Sequence, residues 1–119
     1  MGVARVRKVV AGNTVRDARE WMGLSDSEIA RATGVHRRTV QRWINSGSAP
    51  HPQHAQAMER LRELMHLLRS CFATPAAVQE WLHSPVPLLR GRTPASLIQE
   101  HRSDEVISVL AGLASGAHA

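Results

Sequence analysis

Residues 25–43 read SDSEIARATGVHRRTVQRW, and this stretch decides the fold. Ser25 stands where a helix N-cap belongs, and Glu28 follows three residues later, the spacing of a capping box. Ile29 and Ala30 open an apolar face. Gly34 supplies a sharp turn, because a residue without Cβ takes positive φ at little cost. Val35 then points inward, and Val40 and Trp43 lie at i, i+3 on one face of a second helix. The opposite face carries Arg37, Arg38, Thr39, Gln41 and Arg42. The spacing therefore predicts two short helices around a miniature core of Ile29, Ala30, Val35, Val40 and Trp43, with a basic outer side.

The charge distribution agrees. Residues 1–47 hold nine Lys/Arg against four Asp/Glu, whereas residues 48–119 hold six of each, so the net +5 lies in the first half. A polyanionic partner is expected there. A helix fits the DNA major groove, and Arg and Gln side chains make bidentate contacts to guanine and adenine edges. His36, Arg37, Arg38, Thr39, Gln41 and Arg42 are the candidate DNA-binding residues, with His36 near the DNA backbone. One such unit covers a half-site, so a homodimer or higher assembly is expected. With Ala30, Gly34 and the buried positions at that spacing, the stretch resembles the helix-turn-helix of the Xre-type repressors. Thr33 departs from it, standing where an apolar residue is common.

Upstream, Val15, Ala18, Trp21 and Met22 share a helical face. Thr14 is the expected cap of that helix, Asp17 the partner in its capping box and Gly23 its end. Residues 1–12 read as a short strand or a loose basic arm. Downstream, the recognition helix is expected to run from Arg37 to Ser46. GSAPHPQH (residues 47–54) reads as a linker, with Gly, Ser and two prolines in a few residues. The boundary between two functional regions, 1–47 and 53–119, is placed there.

From Gln53 to Phe72, apolar residues recur at spacings of three and four from Ala57 to Phe72. Leu67 lies off that stripe, available to a partner. Thr74-Pro75 and Thr93-Pro94 each read as an N-cap followed by proline at the first helical position. They open helices that bury Val78, Trp81 and Leu82 in one case and Leu97 and Ile98 in the other. Leu88 and Leu89 are expected to pack. Ser103 is the expected cap of the last helix, whose apolar face runs from Val106 to Leu113, and Gly116 the expected C-cap. The fold class is all-α.

Catalytic signals are sparse. Cys71 lies on an apolar stripe and reads as a small buried hydrophobe. His51 and His54 have no nearby carboxylate, and the sequence has neither a glycine-rich phosphate loop nor a carboxylate pair. The expectation is no enzyme, no metal and no cofactor. One cysteine suits a reducing cytosol. No stretch approaches the roughly 20 apolar residues of a membrane span, so a cytoplasmic protein without membrane contact is expected.

Residues 81–116, WLHSPVPLLRGRTPASLIQEHRSDEVISVLAGLASG, are similar to the toxin-binding domain of Xre/MbcA/ParS-type antitoxins. The resemblance rests on Trp81, Leu88-Leu89, Gly91, Pro94, Leu97, the Val106/Leu110/Leu113 spacing and Gly116. Behind an Xre-like helix-turn-helix it implies an antitoxin of a RES–Xre type II toxin–antitoxin system. Such a protein neutralises a RES-domain toxin that consumes NAD or ADP-ribosylates targets, by covering its active site with the C-terminal end. It also binds its own promoter. Carried onto this chain, the toxin-binding end is Gly116, Ala117, His118 and Ala119. The alternative is a helix-turn-helix transcriptional regulator whose C-terminal half only oligomerises or senses a ligand.

Overall fold

A computed structural model describes residues 3–45 and 50–116, with the backbone alone for residues 3–11. Among the described residues there are seven α-helices: α1 Val3–Met22, α2 Asp26–Thr33, α3 Arg37–Asn45, α4 Ala55–Cys71, α5 Pro75–Leu82, α6 Pro94–Gln99 and α7 Ser103–Ala114. Two 3-10 turns, Pro52–His54 and Pro87–Leu89, lie between them. Among the described residues there is no strand, only an isolated bridge between Val86 and Arg92. The chain is all-α.

The helix-turn-helix forms for the reasons its sequence suggests. Ser25 Oγ accepts from the Glu28 N–H at 3.1 Å, and the Glu28 carboxylate accepts from the Ser25 N–H at 3.0 Å. These satisfy two donors that a helix start otherwise leaves unpaired. Gly34 takes φ +74 and closes α2. Thr33 is buried, and its hydroxyl donates to the Ile29 carbonyl at 2.8 Å. The threonine thus fills an apolar position with its methyl while its polar atom is satisfied within the helix.

Several local expectations are overturned. Residues 3–12 are neither strand nor loose arm but the first half of α1. Thr14 is therefore an interior residue of that helix, 4% exposed, and caps nothing. No proline interrupts the run, and Gly12 is suited to its place. A Cβ there would stand 3.2 Å from the Trp43 carbonyl oxygen, so glycine lets α1 pass close to the end of α3. Asp17 does not complete a capping box but pairs with Arg69 of α4 at 3.2 Å. Ser103 is the first helical residue of α7 rather than its cap. Arg102 occupies the cap position without a side-chain bond, and its guanidinium instead pairs with Glu105 at 2.5 Å.

Trp81 is half-buried against Phe72, with ring centroids 5.6 Å apart. Leu88 is 58% exposed while Leu89 is buried. The 3-10 turn can direct only one of two adjacent residues inward. The two threonine caps are as expected: Thr74 accepts from the Ala77 N–H and Thr93 from the Ser96 N–H. Leu67 is partly buried against the core.

A single apolar cluster runs from Val15 to Leu110 and draws on all seven helices. Helix α4 is its spine. It packs against α7 on one side and against α1 and α2 on the other, through Met58, Leu61, Leu64, Met65 and Leu68. Two glutamines tie the N-terminal helices to the C-terminal ones. The Gln79 amide donates to the Glu20 carbonyl at 3.4 Å, and the Gln99 amide to the Glu28 carbonyl at 3.3 Å. The core thus continues past the Pro-rich connection.

Candidate functional site

Helix α3 is placed by its inner face. Val40 and Trp43 are 0% and 2% exposed and belong to the core. With these inward, a period of 3.6 residues turns Arg38, Arg42 and Asn45 outward. Arg37 and Gln41 then lie on the flank nearer α2. An open hollow lined by His36, Arg38, Thr39, Gln41, Arg42 and Asn45 runs along this side. The six expected DNA-facing residues are thus together on α3 and its entry, though not in equivalent positions.

His36 sits at the helix start. Its Nδ1 accepts from the Arg38 N–H at 3.1 Å, so the imidazole serves as a side-chain cap. Neutral His36 then carries its proton on Nε2. Thr39 is half-buried, and its hydroxyl accepts from Arg42 at 3.2 Å. It acts on the surface through that arginine. Asn45 was not among the expected residues. Its spacing of seven from Arg38 and three from Arg42 is the signal that extends the face by a turn.

The far end of α3 is held by α1. Arg16 donates to the Ile44 carbonyl at 3.1 Å and to Asn13 at 3.4 Å. A cation at the last carbonyls of a helix satisfies unpaired acceptors and offsets the negative end of its dipole. At the near end, Arg19 donates to both oxygens of Asp26, at 2.7 Å each. This pair joins α1 to the first residue of α2. Neither tie is readable from local periodicity, because each joins residues on different helices.

Arg19 holds the Asp26 carboxyl below the usual carboxylate range, and partial burial opposes it. The Gln41 amide and the Arg37 charge also favour the ionised form. The sign for stability follows. The contribution is fully present above the ordinary aspartate value of about 3.9. It is lost as pH falls through the lower folded value. Asp26→Asn is expected to flatten the acid limb of a stability-versus-pH curve below about pH 4. The change should stay within about 1 kcal/mol, because Arg19 is well exposed. Helical circular dichroism at fixed temperature checks this; an unchanged acid limb would remove Asp26 as a contributor.

At the other end of the molecule, α7 buries Val106 and Leu110 and leaves Leu113 40% exposed. Gly116 follows the last helical turn at φ +74 and is exposed, its N–H donating to the Leu113 carbonyl at 3.2 Å. Ala117, His118 and Ala119 lie outside the described residues, so of the expected toxin-binding end only Gly116 is placed. Beside α7, Glu105 pairs with both Arg90 and Arg102 at 2.5 Å, and these two keep its carboxyl below the usual range. Cys71 donates weakly to the Leu110 carbonyl at 3.6 Å, and burial pushes its thiol up. Among the described residues no group of His, Cys, Asp and Glu is arranged to hold a metal. No helix among them is long and apolar enough to cross a membrane.

Comparison with known proteins adds to this geometry. A helix-turn-helix family model matches residues 15–61. The model for the antitoxin Xre/MbcA/ParS C-terminal toxin-binding domain matches residues 64–116. The chain is 32% identical over 118 residues to the probable mycobacterial cidal antitoxin Rv3188 of Mycobacterium tuberculosis, covering 99% of each chain. It is 27% identical over 107 residues to the mycobacterial cidal antitoxin MbcA of M. bovis, covering 90% of this chain and 94% of that one. A chain in the crystal structure of the M. tuberculosis MbcT–MbcA toxin–antitoxin complex superposes with a TM-score of 0.67 at 27% identity. That match covers 91% of this chain and 96% of that one.

Proposed function

The chain belongs to the Xre/MbcA/ParS antitoxin family, and from that premise we propose that it neutralises a RES-domain toxin by covering its NAD-handling active site. The observation that carries this reading is the full-length likeness to a mycobacterial cidal antitoxin, together with the toxin-binding family model on residues 64–116. MbcA occurs in a complex with the toxin MbcT, which supports a protein toxin as the partner here. Neutralisation is steric: the C-terminal end, from Gly116 through Ala117, His118 and Ala119, occupies the toxin's nucleotide site, and α7 presents it.

The helix-turn-helix supports a second task, binding the promoter of the toxin–antitoxin pair so that the complex sets its own level. The outer side of α3 supplies arginines for phosphates and guanine, and Gln41 for adenine. One helix-turn-helix covers a half-site, so the binding form is a homodimer or a higher assembly with toxin.

Co-expression with a RES-domain toxin tests the first task, read as growth and cellular NAD. The full chain should restore both. A chain ending at Gly116 should fail to restore them and still bind promoter DNA. Equal protection by the shortened chain would sink occlusion by the tail. If no RES-domain protein co-purifies with the full chain, the transcriptional-regulator reading takes its place.

A further inference from the structure

Most arginines of this molecule outside α3 are matched with an acid. Arg19, Arg62, Arg69 and Arg92 each meet a carboxylate. Arg16 of α1 is different. It is exposed, and among the described residues its guanidinium meets two neutral oxygens, the Ile44 carbonyl at 3.1 Å and the Asn13 side chain at 3.4 Å. No carboxylate among them offsets its charge.

The place of that charge gives it a use. Ile44 is the next-to-last residue of α3, and Asn45, the last, lines the hollow on the outer side of that helix. Gly12 lets the backbone of α1 lie against the Trp43 carbonyl. Arg16, one turn further along the same face of α1, then overhangs the end of α3. With nine residues, α3 is about 13 Å long, whereas the major groove is about 12 Å wide. A reading helix of this length, with its first turns on the bases, brings its far end up to the phosphates that wall the groove. The C-terminal end of a helix carries roughly half a negative charge, which repels phosphate. A guanidinium on the last carbonyls reverses that sign.

We propose that Arg16 is a phosphate-binding residue for DNA, contributed by α1 and held by the end of α3 against the backbone of the duplex that α3 reads. The inference rests on the DNA reading above. The Ile44 carbonyl and Asn13 take two of the five guanidinium N–H donors, and the others remain for phosphate oxygens. The two bonds fix the guanidinium before DNA arrives, so little side-chain freedom is lost on binding. A phosphate contact carries no base information. Arg16 therefore adds affinity equally to every duplex.

The test uses the full purified chain, the duplex upstream of its own coding sequence and a scrambled duplex of equal composition. Arg16→Met should weaken binding to both by the same factor, about three- to fivefold at low salt. The log–log salt slope should become shallower by about 0.9, so that on a fourfold rise in salt the unaltered chain loses about three- to fourfold more affinity than the variant. Arg16→Lys keeps the charge and should keep the slope. Arg62→Met, which removes a cation paired with Glu59, should leave affinity and slope unchanged. A direct measurement serves if Arg16→Met does not fold: the Arg16 side-chain N–H resonance of the unaltered chain should shift when duplex is added, and that of Arg62 should not.

Lower affinity with an unchanged slope would make Arg16 a cap for α3 and nothing more, and would overturn the proposal. A loss confined to the upstream duplex would overturn it too, since that marks a base contact. So would an equal change of slope in Arg62→Met, which would show only the effect of net charge. If Arg38→Ala with Arg42→Ala flattens the slope and Arg16→Met does not, the DNA reading stands and this proposal fails alone. If the unaltered chain binds neither duplex at low salt, both fall.

Discussion

Replacing Trp43 with alanine is expected to lower the unfolding free energy by about 3–5 kcal/mol and to abolish DNA binding and toxin neutralisation together. Trp43 is the largest fully buried side chain. It belongs to the continuous apolar core, and its own carbonyl is the point where Gly12 lets α1 pass. Truncation removes the buried indole and leaves a cavity that helices tied by Arg16 and Gly34 cannot easily close. A chain of this size has on the order of 5–15 kcal/mol in total, so the loss is a large share.

The joint loss follows from the core. The apolar cluster is continuous from Val15 to Leu110, and α4 packs on helices from both ends of the chain. A contiguous core of this size unfolds as one unit. Calorimetry should show a single transition in both forms, lower by roughly 10–20 °C in the variant. Two separable transitions, with neutralisation retained after the first, would mean that the DNA-facing and toxin-facing parts fold independently.

The second large effect belongs to the surface. Arg38→Ala combined with Arg42→Ala is expected to weaken binding to the upstream duplex by roughly 100-fold or more, since each such arginine contributes about 1–3 kcal/mol. Both lie on the outer side of α3, where no core contact depends on them. The melting temperature should therefore stay near that of the unaltered chain, and neutralisation of the toxin should persist. The dependence of binding on salt separates their roles. Each lost phosphate contact should reduce the log–log slope by about 0.9, whereas a lost guanine contact should reduce discrimination at one base pair. A double variant that binds DNA normally would move the interface away from α3. One that also fails to neutralise toxin would join the two surfaces functionally.

Much of this molecule follows from local chemistry. Ser25 and Glu28 cap α2 because three residues separate them, and Gly34 turns the chain because only its neighbours' backbone constrains it. Thr74-Pro75 and Thr93-Pro94 start helices by the same short-range rules. Each of these features is decided within about four residues, the range over which backbone donors, caps and helical faces interact. The outer side of α3 was equally legible, since burying Val40 and Trp43 leaves the arginines nowhere else to point. The antitoxin family was legible too, from the order of Trp81, Leu88-Leu89, Gly91, Pro94 and Leu97 behind the helix-turn-helix.

What misled lies at longer range. Thr14 looks like a cap because its local pattern permits one, yet the helix continues to Val3, with Gly12 set against the end of α3. Ser103 looks like a cap as well, but Arg102 takes that position while its side chain turns to the first-turn acid. Leu88 and Leu89 are equivalent to any local rule, and the packing of a 3-10 turn chooses between them.

The sequence by itself therefore determined most of the helices, the basic outer face of α3 and the family, because periodicity, capping and charge act between near neighbours. Only the tertiary structure decided which arginine meets which partner. Arg19 with Asp26, Arg69 with Asp17 and Arg16 with the end of α3 all join separate helices. Their partners come within reach only after the core has fixed the angles between those helices, and no spacing along the chain encodes such a distance.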